Sequence, residues 1–151
     1  MIPEPKLDNL YQEVILDHNR NPRNYKEIEN PSFYSHGFNP LCGDDYHLYV
    51  NTDEKGLIED IGFQGAGCAI SKSCISMMTS MVKGKSVEEA ETLKNNFLEF
   101  MTAKTLDAEL KDKIGRLKIF EGVREFPIRI KCATIGWQAL RDALNDASTK
   151  E

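Results

Sequence analysis

Between Tyr46 and Met81 the apolar residues change period, and that change limits the chain to folds in which short strands lead directly into a helix. Tyr46, Leu48 and Val50 alternate with Asp45, His47 and Tyr49, and after a turn containing Lys55-Gly56 the residues Leu57, Ile61 and Phe63 share one face. This spacing predicts a two-stranded hairpin, with a third strand expected from the aromatic stretch before it. Gly65-Ala66-Gly67 then breaks the alternation, and Ile70, Cys74, Met77 and Met81 recur at helical spacing, so a helix begins close to Cys68.

Helices flank this unit. Leu7, Leu10 and Val14 predict a helix from Leu7 to about Arg20, stopped by Asn21-Pro22, and residues 21–42 read as ordered loop. Ser86 followed by Val-Glu-Glu-Ala is a capped helix start, with Ala90, Leu93, Phe97 and Met101 as its buried stripe. Residues 103–125 are charged and weakly periodic (Leu106, Leu110, Leu117), which predicts a short helix and a surface-packed connection. Pro127 suits the first turn of a last helix whose apolar face is Ala133, Trp137, Leu140 and Leu144. The expected fold is a single α+β domain over residues 1–151, a small antiparallel sheet of about three strands packed against helices.

A net charge of -5 argues against a nucleic-acid surface, which needs a dense basic face. No basic start leads into an apolar core, and no run approaches the ~18 apolar residues of a spanning helix, so the expectation is a cytoplasmic protein without membrane partners. Thiols in that compartment stay reduced, so the 4 cysteines point to metal or reactive sulfur more than to disulfides, with plain buried cysteines as the alternative.

The cysteines differ. Cys42-Gly43-Asp44 puts a thiolate and a carboxylate on either side of a glycine that can curl both inward onto one ion, although on the tripeptide alone a turn with an Asx hydrogen bond is the better account. Cys68 follows Gly-x-Gly at a helix start, where backbone N–H groups favour the thiolate; a packed cysteine at a tight junction is equally compatible. Cys74 shares the apolar stripe of its helix, about 9 Å along the axis from Cys68, and belongs to the core. Cys132 lies between Arg129, Lys131 and the start of the last helix, a cationic setting, or else packs beside Ala133 and Trp137. His18, His36 and His47 form no close pair in sequence and are assigned no role.

The segments NPLCGDDYHLYV, FQGAGCAISKSCISMMTSMVKGKS and VREFPIRIKCATIGW, with DHNRNPRNY upstream, resemble the IscU/NifU-like iron-sulfur assembly family over nearly the whole chain, and its SufU branch most. Scaffold-type members carry a Leu-Pro-Pro-Val-Lys chaperone motif and a His before the third ligand cysteine. This chain has Lys131 there, lacks that motif, and has the longer connection of about 103–125.

The resemblance implies zinc held by Cys42, Asp44, Cys68 and Cys132, with Cys42 accepting sulfur from a SufS-type cysteine desulfurase and passing it toward downstream iron-sulfur assembly proteins. Cys74 departs from the small residue usual at its position. The implied role is that of a sulfurtransferase-like accessory protein; the alternatives are a scaffold building a [2Fe-2S] cluster on the same ligands and a domain in which zinc only stabilises the fold. Three thiolates and a carboxylate would close the zinc's coordination against hydrolytic chemistry, so a desulfurase ligand such as a His would have to displace Cys42 before its sulfur attacks a persulfide. Arg129 and Lys131 are expected to offset the negative charge, Arg129 as a partner to the ligands.

Overall fold

The predicted hairpin forms and gains its third strand from the aromatic stretch. In the computed structural model, which describes residues 9–149 and the side chains of 11–145, β1 (Phe33–Asn39), β2 (Asp44–Thr52) and β3 (Ile58–Ala66) make an antiparallel sheet of order β1-β2-β3. Helices α1 (Asn9–Arg20), α2 (Ala69–Val82), α3 (Val87–Thr102), α4 (Ala108–Ile114) and α5 (Pro127–Thr149) surround it, with a 3₁₀ helix over Gly115–Glu125. The start expected for α1 at Leu7 lies outside the described residues.

Alternation sorts β2 as expected: Asp44, Tyr46, Leu48 and Val50 are buried, while Asp45 is exposed and His47 and Tyr49 are half-buried on the other face. On β3 the buried set is Ile58, Ile61 and Phe63, not Leu57. A register shift at Asn51/Thr52 adds a residue to β3, so Ile58 and Ile61 both reach the core, and Leu57 pairs instead with Ser86.

The α5 helix crosses the buried face of β1 and β2 and packs on α2. Small residues allow this approach. A Cβ on Gly136 would come within 2.4 Å of Ile75, one on Gly37 within 3.2 Å of Ile135, and Ser35 Oγ donates to the Ala139 carbonyl at 2.6 Å. The α1 helix is tied to α2 through polar groups of the DHNRNPRNY segment: His18 Nδ1 lies 2.8 Å from Ser76 Oγ, the Arg23 N–H donates to the same oxygen, and Asn24 Nδ2 donates to Thr79 Oγ1. These bonds satisfy hydroxyls that α2 buries on a face that would otherwise be apolar.

Residues 103–125 correct the expectation of a surface-packed connection. Leu117, Ile119, Phe120 and Val123 are buried. Leu117, Phe120 and Val123 recur every three residues, the period of a 3₁₀ helix, which a search for 3.6-residue spacing passes over. Phe120 meets Phe97 edge-on at 6.3 Å, and Phe97 in turn lies 5.6 Å from Trp137, closing an aromatic core between α3, the 3₁₀ helix and α5. No helix among the described residues is long and apolar enough to cross a membrane.

Candidate metal centre

The centre lies where the β1–β2 turn, the β3–α2 junction and α5 meet. The turn begins at Asn39, whose Oδ1 accepts the Leu41 N–H at 3.2 Å. The Asx bond is therefore made before Pro40 and not by Asp44. Gly43 has φ +72, a left-handed conformation that reverses the chain between Cys42 and Asp44.

Asp44 is fully buried at the first residue of β2. Its Oδ1 accepts the Cys68 N–H at 3.1 Å and the Ser71 hydroxyl at 2.9 Å, and Ser71 Oγ also lies 2.9 Å from the Tyr46 hydroxyl. Its other oxygen, Oδ2, is buried and makes no hydrogen bond. A buried carboxylate oxygen left so is costly unless a donor or a cation meets it. Gly67 makes the approach possible, since a Cβ there would sit 2.4 Å from Asp44 Oδ1 and 2.6 Å from the Tyr46 hydroxyl.

Cys68 is the N-cap of α2, its sulfur accepting the Ser71 N–H at 3.4 Å. A hydrogen bond from Cys132 and the Ser71 N–H together outweigh burial and bring the Cys68 thiol down to about 6. The same contact, burial and the neighbouring Cys42 push the Cys132 thiol strongly the other way. Cys132 is fully buried on α5; its sulfur lies 3.7 Å from the Ile128 carbonyl and 4.0 Å from Asn39 Nδ2.

Cys42, Asp44 and Cys132 offer ligand atoms that all lie within 4.8 Å of one another, and Cys68 contacts Cys132. Three of the four expected ligands thus meet, and Cys68 lies beside them, outside that 4.8 Å group, with its N–H on Asp44 Oδ1. Three sulfurs with one carboxylate oxygen form a donor set that suits zinc, and the unbonded Asp44 Oδ2 is the feature such an ion would satisfy.

Cys74 lies apart, fully buried, its thiol pushed up to about 12 by burial. Arg129 is buried on α5, and Lys131 faces solvent. Asn39, Tyr46 and Ser71 were not foreseen as supports. The Asn-Pro pair and the N-cap spacing of Cys68 and Ser71 were the signals that pointed to two of them.

The model of the NifU-like N-terminal domain family matches residues 10–151. The chain belongs to this family. Among relatives, it is 42% identical over 134 residues to the zinc-dependent sulfurtransferase SufU of Bacillus subtilis, covering 89% of this chain and 88% of that protein. It is 38% identical over 146 residues to the iron-sulfur cluster assembly scaffold protein IscU of Streptococcus pyogenes, covering 97% and 89%. A solved structure from Fervidobacterium islandicum, described as an iron-sulfur cluster assembly scaffold for the SUF system, superposes with a TM-score of 0.81 at 32% identity over 87% of this chain and 94% of that one. The three-stranded sheet with its surrounding helices is thus the family's fold.

Proposed function

We propose that this chain holds one zinc ion through Cys42, Asp44, Cys68 and Cys132, accepts sulfur on Cys42 from a cysteine desulfurase, and carries it into iron-sulfur cluster assembly. Zinc, when bound, keeps its cysteine ligands as thiolates at neutral pH. The observation that carries the proposal is the unequal anchoring of the sulfurs. Cys68 is fixed as a helix cap and Cys132 is buried in α5, whereas Cys42 sits in a turn between exposed Leu41 and Gly43, its Sγ 4.0 Å from the Ile128 carbonyl.

Cys42 is therefore the sulfur that can swing outward while Asp44, Cys68 and Cys132 keep their places. Its thiolate attacks the outer sulfur of the desulfurase persulfide; a new S–S bond forms on Cys42, the old one breaks, and the desulfurase cysteine leaves as a thiolate. No net oxidation occurs. Leu41 and Ile128, large apolar side chains 60% and 39% exposed beside Cys42, give a desulfurase a surface to cover during the exchange.

The test is a desulfurase assay with persulfide mapping by mass spectrometry. Wild type should stimulate turnover and carry one added sulfur on Cys42, and Cys42→Ala should do neither; stimulation that survives in Cys42→Ala refutes the acceptor role. Scaffolding of a [2Fe-2S] cluster is the second reading, supported by the scaffold name of the Streptococcus relative. Aerobic purification separates the two, since a carrier is colourless with bound zinc and a scaffold is brown.

A further inference from the structure

The outer face of the sheet carries a group of ligand side chains that the cysteine centre does not use. His36 on β1 and His47 on β2 are direct cross-strand partners, their rings stacked at 4.7 Å and 9°. Asp45, two residues before His47, shares its face, and its Oδ1 lies 2.5 Å from His36 Nε2. One ligand atom from each of the three lies within 4.8 Å of the others. The Tyr34 hydroxyl lies 2.5 Å from His47 Nδ1, which leaves Nε2 of that ring for a ligand role.

We propose that His36, Asp45 and His47 form a second cation site, for a divalent transition metal such as Zn2+, separate from the cysteine centre. A neutral imidazole presents a nitrogen lone pair to a cation. Two imidazoles and a carboxylate are the donors that zinc, nickel, copper and ferrous iron accept, and exposure leaves the remaining positions to water. When the cation binds, His36 moves its N–H from Nε2 to Nδ1, and the Nε2–Asp45 hydrogen bond gives way to two metal bonds. The Tyr34 hydroxyl then accepts the Nδ1–H of His47 and fixes that ring, as partners behind metal-bound histidines generally do.

Adjacent residues alternate across a strand, so Asp44 faces the cysteine centre and Asp45 the outer site, on opposite sides of β2. A cation outside would cross-link β1 to β2 beside the turn that carries Cys42, and so hold the base of that turn without touching the sulfurs. The site does not depend on the proposed function of the cysteines.

Zinc is titrated into protein as purified, following heat by calorimetry and the imidazole ring protons of the histidines by NMR. One further equivalent should bind, shifting His36 and His47 ring resonances together and leaving His18 unmoved. His36→Ala and His47→Ala, both at partly exposed positions, should each weaken this equivalent by about tenfold or more. Metal content as purified should stay the same in both variants, which reports on the cysteine centre independently. Failure to bind a further equivalent, binding that persists undiminished in both variants, or shifts that leave His36 and His47 unmoved would overturn the proposal.

Discussion

The cysteine centre and the aromatic cluster, which share α5, are built to opposite specifications. At the cysteine centre the Cys68 and Cys132 thiols are pushed in opposite directions by their contact, Asp44 buries the oxygen Oδ2, and the ligands come from three separate stretches of chain. In the aromatic cluster Phe97, Phe100, Phe120 and Trp137 are all fully buried and pack ring against ring. Yet α5 supplies both, carrying Cys132 and, five residues on, Trp137. The aromatic cluster supplies stability and holds the helices in place. The cysteine centre instead gathers soft sulfur donors and a buried carboxylate oxygen around one point, an arrangement a bound ion would stabilise.

If that division is right, substitutions should move stability and metal binding separately. Trp137→Ala should have the largest effect, about 3–5 kcal/mol lost in urea unfolding of metal-free protein. The folded fraction should still hold zinc in the wild-type ratio; a proportionate loss of zinc would show the two regions to be one unit. Gly67→Ala attacks the boundary, because its Cβ must push Asp44 Oδ1 or the Tyr46 hydroxyl aside. It should cost about 1–3 kcal/mol and release zinc to a chelator faster than wild type; unchanged release would mean that the placement of Asp44 is unimportant. Ser86→Ala removes the capping box of α3, where Ser86 Oγ accepts the Glu89 N–H and Glu89 accepts the Ser86 N–H. It should lower stability by about 1 kcal/mol and leave zinc release untouched.

Much of this arrangement is visible in the sequence, and the places where it is not have physical causes. The β2 alternation, the α3 cap and stripe, Pro127 at the start of α5 and the core placement of Cys74 follow from local rules that tertiary packing did not override. Leu57 does not share the face of Ile61 and Phe63 as alternation predicts, because a strand irregularity changes the phase without leaving a glycine to mark it. The 3₁₀ segment reads as surface in the sequence because its apolar residues keep a period of three among many charges. Residue type left Cys42, Asp44, Cys68 and Cys132 open one by one, and only the family resemblance named them as a set, because the approach of Cys132 to Cys42 and Asp44 depends on how α5 crosses β1, a long-range contact that local pattern does not encode. For the same reason His36 and His47 looked unrelated until strand register set them opposite each other.

The central claim is that three sulfurs and one carboxylate oxygen meet around a single ion. Zinc K-edge X-ray absorption on the His36→Ala/His47→Ala protein, loaded with one equivalent of zinc, tests it without interference from the outer face. The account predicts a sulfur shell at roughly 2.3 Å fitted by three scatterers, plus one oxygen near 2.0–2.2 Å, with Asp44→Ala removing the oxygen alone. A shell of nitrogen and oxygen without sulfur, or an oxygen that persists unchanged in Asp44→Ala, would contradict it.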